Sequence, residues 1–336
     1  MKLITAILCA GALIMSTVQA DAQPNCKLRP DQTILLYPEG QNVDKGLPEA
    51  QGPLASNGNT AEMESIAENG NISYMGDKAR LELFFPKKPN GQMIIVCPGG
   101  GYWITSSWNE GLYVAEWMLQ RGITVCVVEY RMPNGNWNLP LHDIQNAFRY
   151  CRTHAQEWGV NQIGVMGFSA GGHLAASTTN LYVDNMTRPD FSVLIYPVIS
   201  MDKSITHMGT RTNLIGNDSK WDNKDVSAAE YEAAQKQKAE LEKHYSIDLQ
   251  VNSNTPPSFI AHCTDDTVVP VENTIRYYKA LVENEVPSEV HIFPTGGHGW
   301  GFSSEKYKGK GKDNFSYARP EFEASLERWL EGIRMK

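Results

Sequence analysis

Cysteine is scarce in this chain, long hydrophobic runs are confined to its first residues, and positive charge is not in excess. Each absence removes a class of protein. The six cysteines form no C-x-x-C pair and no Cys/His cluster, so no metal site and no dithiol redox centre is expected. Cys9 falls in the N-terminal apolar stretch, and the other five are Cys26, Cys97, Cys126, Cys151 and Cys263. That number is odd, and Cys97, Cys126 and Cys263 sit in or beside apolar runs where cysteine acts as a small hydrophobe. No disulfide framework is expected. Beyond the first residues, no segment has the roughly 18 apolar residues that a transmembrane helix needs. The 30 Lys and Arg against 38 Asp and Glu give a formal charge of −8. That argues against a nucleic-acid partner, because phosphate neutralisation requires clustered cations. Neither the Rossmann glycine spacing nor a P-loop Lys-Ser/Thr is present, so no nucleotide cofactor is read.

What remains is ordinary globular composition: 336 residues, 41% hydrophobic and 20% charged, enough to bury a large core without disulfides. Residues 1–22 read as an export signal. Lys2 gives a positive start, Leu3 to Met15 are almost wholly apolar, and the small-x-small triplets place cleavage near Ala20 or Ala22. The protein is therefore expected to be secreted or periplasmic. Residues 23–79, rich in Pro, Gly, Asn and Gln, read as an extended lead-in. From residue 80 onward short apolar runs alternate with helical patterns, as in βαβ units around a mostly parallel sheet. The rhythm breaks at about 200–256, where Ala228–His244 has strong helix propensity and many charges. This helical insertion has two readings: a cover over a site, or a solvated surface helix.

Four loops at strand ends carry chemistry. Gly167-Phe168-Ser169-Ala170-Gly171 follows the apolar run Ile163–Met166 and precedes a helix of small residues. This is the context in which G-x-S-x-G forms a sharp turn that exposes a nucleophilic serine, Ser169. A free hydroxyl is a poor nucleophile and needs a base beside it. Pro98-Gly99-Gly100-Gly101-Tyr102 follows the run Met93–Cys97 and offers backbone N–H groups for an oxyanion hole. Gly100 and Gly101 are not ranked, and the Ala170 amide completes the set. His298, within Gly296-Gly297-His298-Gly299, is one of eight histidines. Its small neighbours and its place downstream of Ser169 fit the base. Asp265 and Asp266 follow the run Phe259–Cys263, and one carboxylate there would orient the histidine.

These motifs resemble those of a known family. PGGGY (98–102), YRMP (130–133), PLHDIQNAFRYCR (140–152), GVMGFSAGGHLAAS (164–177), TPPSFIAHCTDDTVVPVENT (255–274) and HIFPTGGHGWGF (291–302) are similar to segments of the acetylxylan-esterase-like carbohydrate esterases. These belong to the α/β-hydrolase superfamily, in the branch of dienelactone hydrolase and the prolyl-oligopeptidase catalytic domain. The resemblance runs from about residue 80 to the end. It implies an α/β-hydrolase fold over 80–336 and a cofactor-free Ser-His-Asp esterase that removes acetyl groups from xylan or its oligosaccharides. It also implies that Asp266, rather than Asp265, is the acid, because His262 to Pro270 resembles the family's H-G-x-x-D-x-V-V-P pattern, with Cys263 at the glycine position. A feruloyl or short-chain aryl esterase, and a non-catalytic carbohydrate-binding protein on the same fold, are the competing readings. Aromatics near the motifs have two uses, stacking on sugars or packing in the core. Tyr102, Trp103 and Trp300, next to the catalytic loops, are the candidates for substrate contact.

Overall fold

The computed structural model describes residues 28–37, 65–66, 72–74, 79–302 and 314–335. The export signal read at 1–22, with its cleavage site, lies outside the described residues, as does Cys26. The strands are β1 (Gln32–Leu35), β2 (Ser65–Ile66), β3 (Ile72–Tyr74), β4 (Arg80–Phe84), β5 (Gln92–Cys97), β6 (Thr105–Ser106), β7 (Thr124–Glu129), β8 (Gln162–Phe168), β9 (Ser192–Ile195), β10 (Ser258–Cys263) and β11 (Ser288–Phe293). The helices are α1 (Tyr113–Leu119), α2 (Asn138–His154), α3 (Ser169–Asn180), α4 (Met208–Ile215), α5 (Asp218–Trp221), α6 (Ala228–His244), α7 (Glu272–Glu283) and α8 (Arg319–Ile333). A single π-helical turn, Trp108–Leu112, leads into α1.

The main sheet runs β1-β4-β7-β5-β8-β9-β10-β11. β1 and β4 are antiparallel to their neighbours, and every pairing from β7 to β11 is parallel. Helices cover both faces. Ile144 and Phe148 of α2, Leu174 of α3 and Tyr277 of α7 pack on one side. Val114 and Met118 of α1 with Phe322, Leu326 and Leu330 of α8 pack on the other. This double cover explains why β5, β7, β8 and β10 are buried at every position, and why they read as unbroken apolar runs. The lead-in is partly structural: β1 forms the sheet edge, and the Tyr37 hydroxyl donates to Asp143 at 2.6 Å. Asp143 in turn holds the buried guanidinium of Arg131.

The chain reverses direction across the sheet at β5, with β7 on one side and β8 on the other. Open α/β sheets bind ligands outside the carboxyl ends of the strands at such a switch point. Cys97 pairs with Gly167, so β5 and β8 end level and deliver their following loops side by side. Close packing demands small residues here. A Cβ on Gly171 would lie 2.1 Å from the Cys97 carbonyl oxygen, and one on Gly167 would lie 2.1 Å from that of Gly171.

Helix α3 is buried along its whole length despite its polar residues. The hydroxyls of Ser177, Thr178 and Thr179 each donate to the carbonyl one turn back, at 2.8, 2.8 and 2.7 Å, which removes the cost of burying them. His173 Nε2 donates to the Tyr245 carbonyl at 2.8 Å, leaving Nδ1 to accept the Tyr102 hydroxyl at 2.9 Å. The insertion between β9 and β10 holds α4, α5 and α6. Ser227 and Glu230 form a reciprocal capping box at the start of α6.

Burial pushes His173 down to about 4 from an ordinary 6.5, against the opposing pull of the Tyr245 carbonyl. Between those values the unfolded ring binds a proton that the folded one refuses. Stability should therefore fall as pH drops from 6.5 towards 4, by on the order of 3 kcal/mol from this residue. Urea titrations at stepped pH should show that slope in the wild type and a flatter one in His173→Gln. An equal slope in the variant would assign the acid sensitivity elsewhere.

Candidate active site

Ser169 sits at the junction of β8 and α3 with φ +53°, a left-handed conformation that a side-chain-bearing residue adopts only under constraint. The turn throws its hydroxyl out beyond the sheet. Ser169 Oγ donates to His298 Nε2 at 2.9 Å, and His298 Nδ1 donates to Asp266 Oδ2 at 2.7 Å. Asp266 Oδ1 accepts the amides of Val268 and Val269, both at 2.9 Å. Burial pushes the Asp266 carboxyl up. Hydrogen bonds from His262 and His298, the charge on His298 and the Val269 amide outweigh burial and hold it well below the ordinary carboxylate range.

Asp265 takes a different partner. It accepts the Gly296 and Gly297 amides at 3.2 and 2.8 Å and so ties down the loop that carries His298. Of the two neighbouring aspartates, Asp266 is thus the one against the imidazole. His262, one strand position before Cys263, supports it from behind. Its Nε2 lies 3.2 Å from Asp266 Oδ2 and 3.0 Å from the Val269 carbonyl, while Nδ1 accepts the Thr274 hydroxyl at 2.8 Å.

The glycine loop after β5 lies against Ser169: a Cβ on Gly99 would be 3.0 Å from the Ser169 Cβ. The Gly100 carbonyl accepts the Trp103 and Ile104 amides at 3.0 and 3.2 Å. The turn is so tight that a Cβ on Gly100 would meet the Ile104 oxygen at 2.1 Å. Gly100, Gly101 and Ala170 therefore stand on the two loops that flank the serine, Ala170 in the first turn of α3 where backbone N–H groups favour negative charge.

The aromatics divide. Trp103 is 46% exposed beside the glycine loop. Tyr102 is only 1% exposed; it turns inward to His173 and packs edge-on to Tyr130, so it offers no face to a substrate. Trp300 is 6% exposed and stacked on Phe315 at 3.9 Å. Residue spacing placed both beside the site, but their side chains complete the core beneath it.

Three residues at the site carried no signal in the sequence. His207 precedes α4, and its Nδ1 accepts the Thr210 amide at 3.2 Å. Its Cε1 would lie 3.6 Å from a Cβ on Gly101. Burial and the charge on His298 push its ring down, against Asp266. Glu110 and Tyr196 lie beneath the two loops, the Tyr196 ring 4.7 Å from that of His298. The insertion thus reaches the site through the turn at His207, while α6 packs on α4 and α5. Among the described residues no three His, Cys, Asp or Glu side chains converge to hold a metal ion, and no helix is long and apolar enough to cross a membrane.

A serine elbow at the switch point of a sheet with this strand order makes the chain an α/β-hydrolase. More narrowly, it belongs to the BD-FAE family, whose profile matches residues 81–281. It is 37% identical over 233 residues to an acetylxylan esterase of Xylanibacter ruminicola, covering 68% of this chain and 45% of that protein. It is 32% identical over 231 residues to endo-1,4-beta-xylanase B of Butyrivibrio fibrisolvens, covering 64% of this chain and 33% of the relative. The chain spans less than half the length of either relative. The crystal structure of an acetyl ester-xyloside bifunctional hydrolase from Caldicellulosiruptor lactoaceticus superposes with a TM-score of 0.65 at 28% identity, covering 91% of this chain and 98% of that one.

The hydrogen-bond geometry separates the two aspartates. Asp266→Asn should lower turnover by about four orders of magnitude, as when the orienting carboxylate of such a line is neutralised. Asp265→Asn should cost far less. Steady-state kinetics with thermal melts as a folding control will rank them, and a more damaged Asp265 variant would contradict the assignment.

Proposed function

We propose that this protein is an exported serine esterase that removes O-acetyl groups from xylan or its oligosaccharides. The observation that carries the reading is the line from Ser169 through His298 to Asp266, set beside a glycine loop in a chain akin to an acetylxylan esterase. In the proposed mechanism Ser169 Oγ attacks the acetyl carbonyl carbon while its proton passes to His298 Nε2. The carbonyl oxygen becomes an oxyanion, received by the Ala170 amide and those of Gly100 and Gly101. Asp266 stabilises the imidazolium and holds its orientation. His298 then gives the proton to the departing sugar oxygen, leaving an acetyl-serine. Water, deprotonated by His298, attacks that ester; as the second oxyanion collapses and releases acetate, His298 returns the proton to Ser169 Oγ and restores its hydroxyl.

Trp103, exposed at the rim, is the side chain placed to lie against a sugar ring. Residues 1–22 are the export signal in this reading, cleaved near Ala20 or Ala22, which puts the enzyme where plant polysaccharide is met. The partner is an acetylated polysaccharide or oligosaccharide.

Ser169→Ala should fold normally and lose activity on an aryl acetate by roughly four to six orders of magnitude. It should also fail to label with a fluorophosphonate. Near-normal turnover in that variant would end the serine-esterase reading, and an unlabelled wild type would favour a non-catalytic protein. The substrate follows from a second measurement, acetate and ferulate release from arabinoxylan. Acetate should dominate, and aryl acetates should be cleaved much faster than octanoates. Dominant ferulate release would move the assignment to a feruloyl esterase.

A further inference from the structure

Beneath the proposed catalytic line lies a carboxylate that the mechanism above does not use. Glu110, 4% exposed, occupies the π-helical turn Trp108–Leu112, a backbone form that recurs at functional sites. Its Oε2 accepts the Gly99 amide at 2.7 Å, at the root of the glycine loop. Its Oε1 accepts the Tyr196 hydroxyl at 2.7 Å, and that hydroxyl accepts the Gly301 amide at 3.0 Å, in the loop that carries His298. The glycine loop and the histidine loop are thus joined through two side chains, Glu110 and Tyr196.

The same turn holds the histidine loop a second way. Asn109 Nδ2 donates to the Gly299 carbonyl at 2.8 Å, and the Asn109 carbonyl accepts the Phe302 amide at 3.0 Å. Contact is close enough that a Cβ on Gly301 would come within 2.7 Å of the Asn109 carbonyl oxygen. Tyr196 is itself constrained, with φ +37° at the end of β9, and its ring packs against both His298 and Trp300.

We propose that Glu110 and Tyr196 act as a positioning pair, setting the oxyanion loop and the histidine loop at a fixed distance across Ser169. The proposal rests on the esterase reading and deepens it. Donor counting explains why a carboxylate occupies position 110. The Gly99 N–H needs an acceptor, and the Tyr196 hydroxyl, which accepts from Gly301, has its O–H left to donate; the two oxygens of a carboxylate meet both. Burial raises the carboxyl, while the Tyr196 hydroxyl, the charge on His298 and the Gly99 amide oppose it. Glutamine is isosteric but, with its oxygen on the Gly99 amide, turns its NH2 to the Tyr196 hydroxyl, which must then accept where it now donates. The pair touches no reacting atom, and its effect runs through the two loops.

The test is kinetic, on the full-length enzyme with an aryl acetate. Glu110→Gln and Tyr196→Phe should each lower kcat by about tenfold or more with KM within about twofold, the signature of contacts that matter only as the transition state forms. The double variant should lose much less than the product of the two single losses, because both changes break one unit. Rates are expressed per folded site, counted by endpoint fluorophosphonate labelling, so simple unfolding does not imitate the effect. A kcat within twofold of wild type in either single variant, a loss confined to KM, or full multiplicativity in the double variant would each overturn the proposal. Ser169→Ala runs alongside: if it stays active, the esterase reading fails; if it is dead while Glu110→Gln is fully active, only the positioning pair fails.

Discussion

The level ending of β5 and β8 is the constraint on which the rest of this site depends. Parallel pairing through Cys97 and Gly167 brings two loops out at one point of the sheet, where strand order reverses. The glycines at 99, 167 and 171 allow that approach, since a side chain at any of them would strike backbone within 2.7 Å. The positive φ at Ser169 follows from the same crowding. The strand must end and α3 must begin without lateral room, so the serine takes a left-handed conformation and its hydroxyl projects clear of the sheet. That strain is supported by a buried helix whose own hydroxyls are satisfied internally and by His173, which links it to the glycine loop through Tyr102. Buried polar groups here do the positioning that apolar packing alone would leave loose.

Around the histidine, neighbouring carboxylates have separate tasks set by direction rather than by proximity. Asp266 faces the ring and also accepts two backbone amides; burial pushes its carboxyl up, and the hydrogen bonds from His262 and His298, the charge on His298 and the Val269 amide outweigh that and hold it low. Asp265 binds the backbone of the same loop and secures Gly296 and Gly297. Glu110 lies on the far side of the site, beneath the loops. Three acids from two parts of the chain therefore address one imidazole-bearing loop, one by direct contact and two through its backbone or its neighbours. The insertion between β9 and β10 adds His207 at the edge of the glycine loop. It does so through a turn, while its charged helix α6 remains largely exposed.

Much of the molecule was legible in the sequence, for identifiable physical reasons. Parallel strands covered on both faces are continuous apolar runs, so the central strands could be read within a residue or two. Ser169 could be read because the elbow needs small neighbours at fixed offsets, and His298 because it stands among glycines after the last strand. The helix at 228–244 declared itself by propensity. The order of serine, acid and histidine follows chain order and needs no coordinates to state.

What the sequence could not determine is direction. Tyr102 and Trp300 adjoin the glycine and histidine loops along the chain, yet each ring is buried in the core, where Tyr102 meets His173 and Trp300 meets Phe315. Trp103, one residue further on, faces out. Glu110 and Tyr196 are far apart in sequence and carry no motif, and only the packing of a helical turn against the end of β9 brings them together. The sequence by itself determined the alternation of strands and helices, the elbow and the chain order of the reactive types, because each rests on local periodicity or local crowding. Tertiary structure alone decided which side chains turn inward and which backbone amides and side chains hold Asp266, Asp265 and Glu110 in place, because those depend on contacts between segments that the chain brings together only when folded.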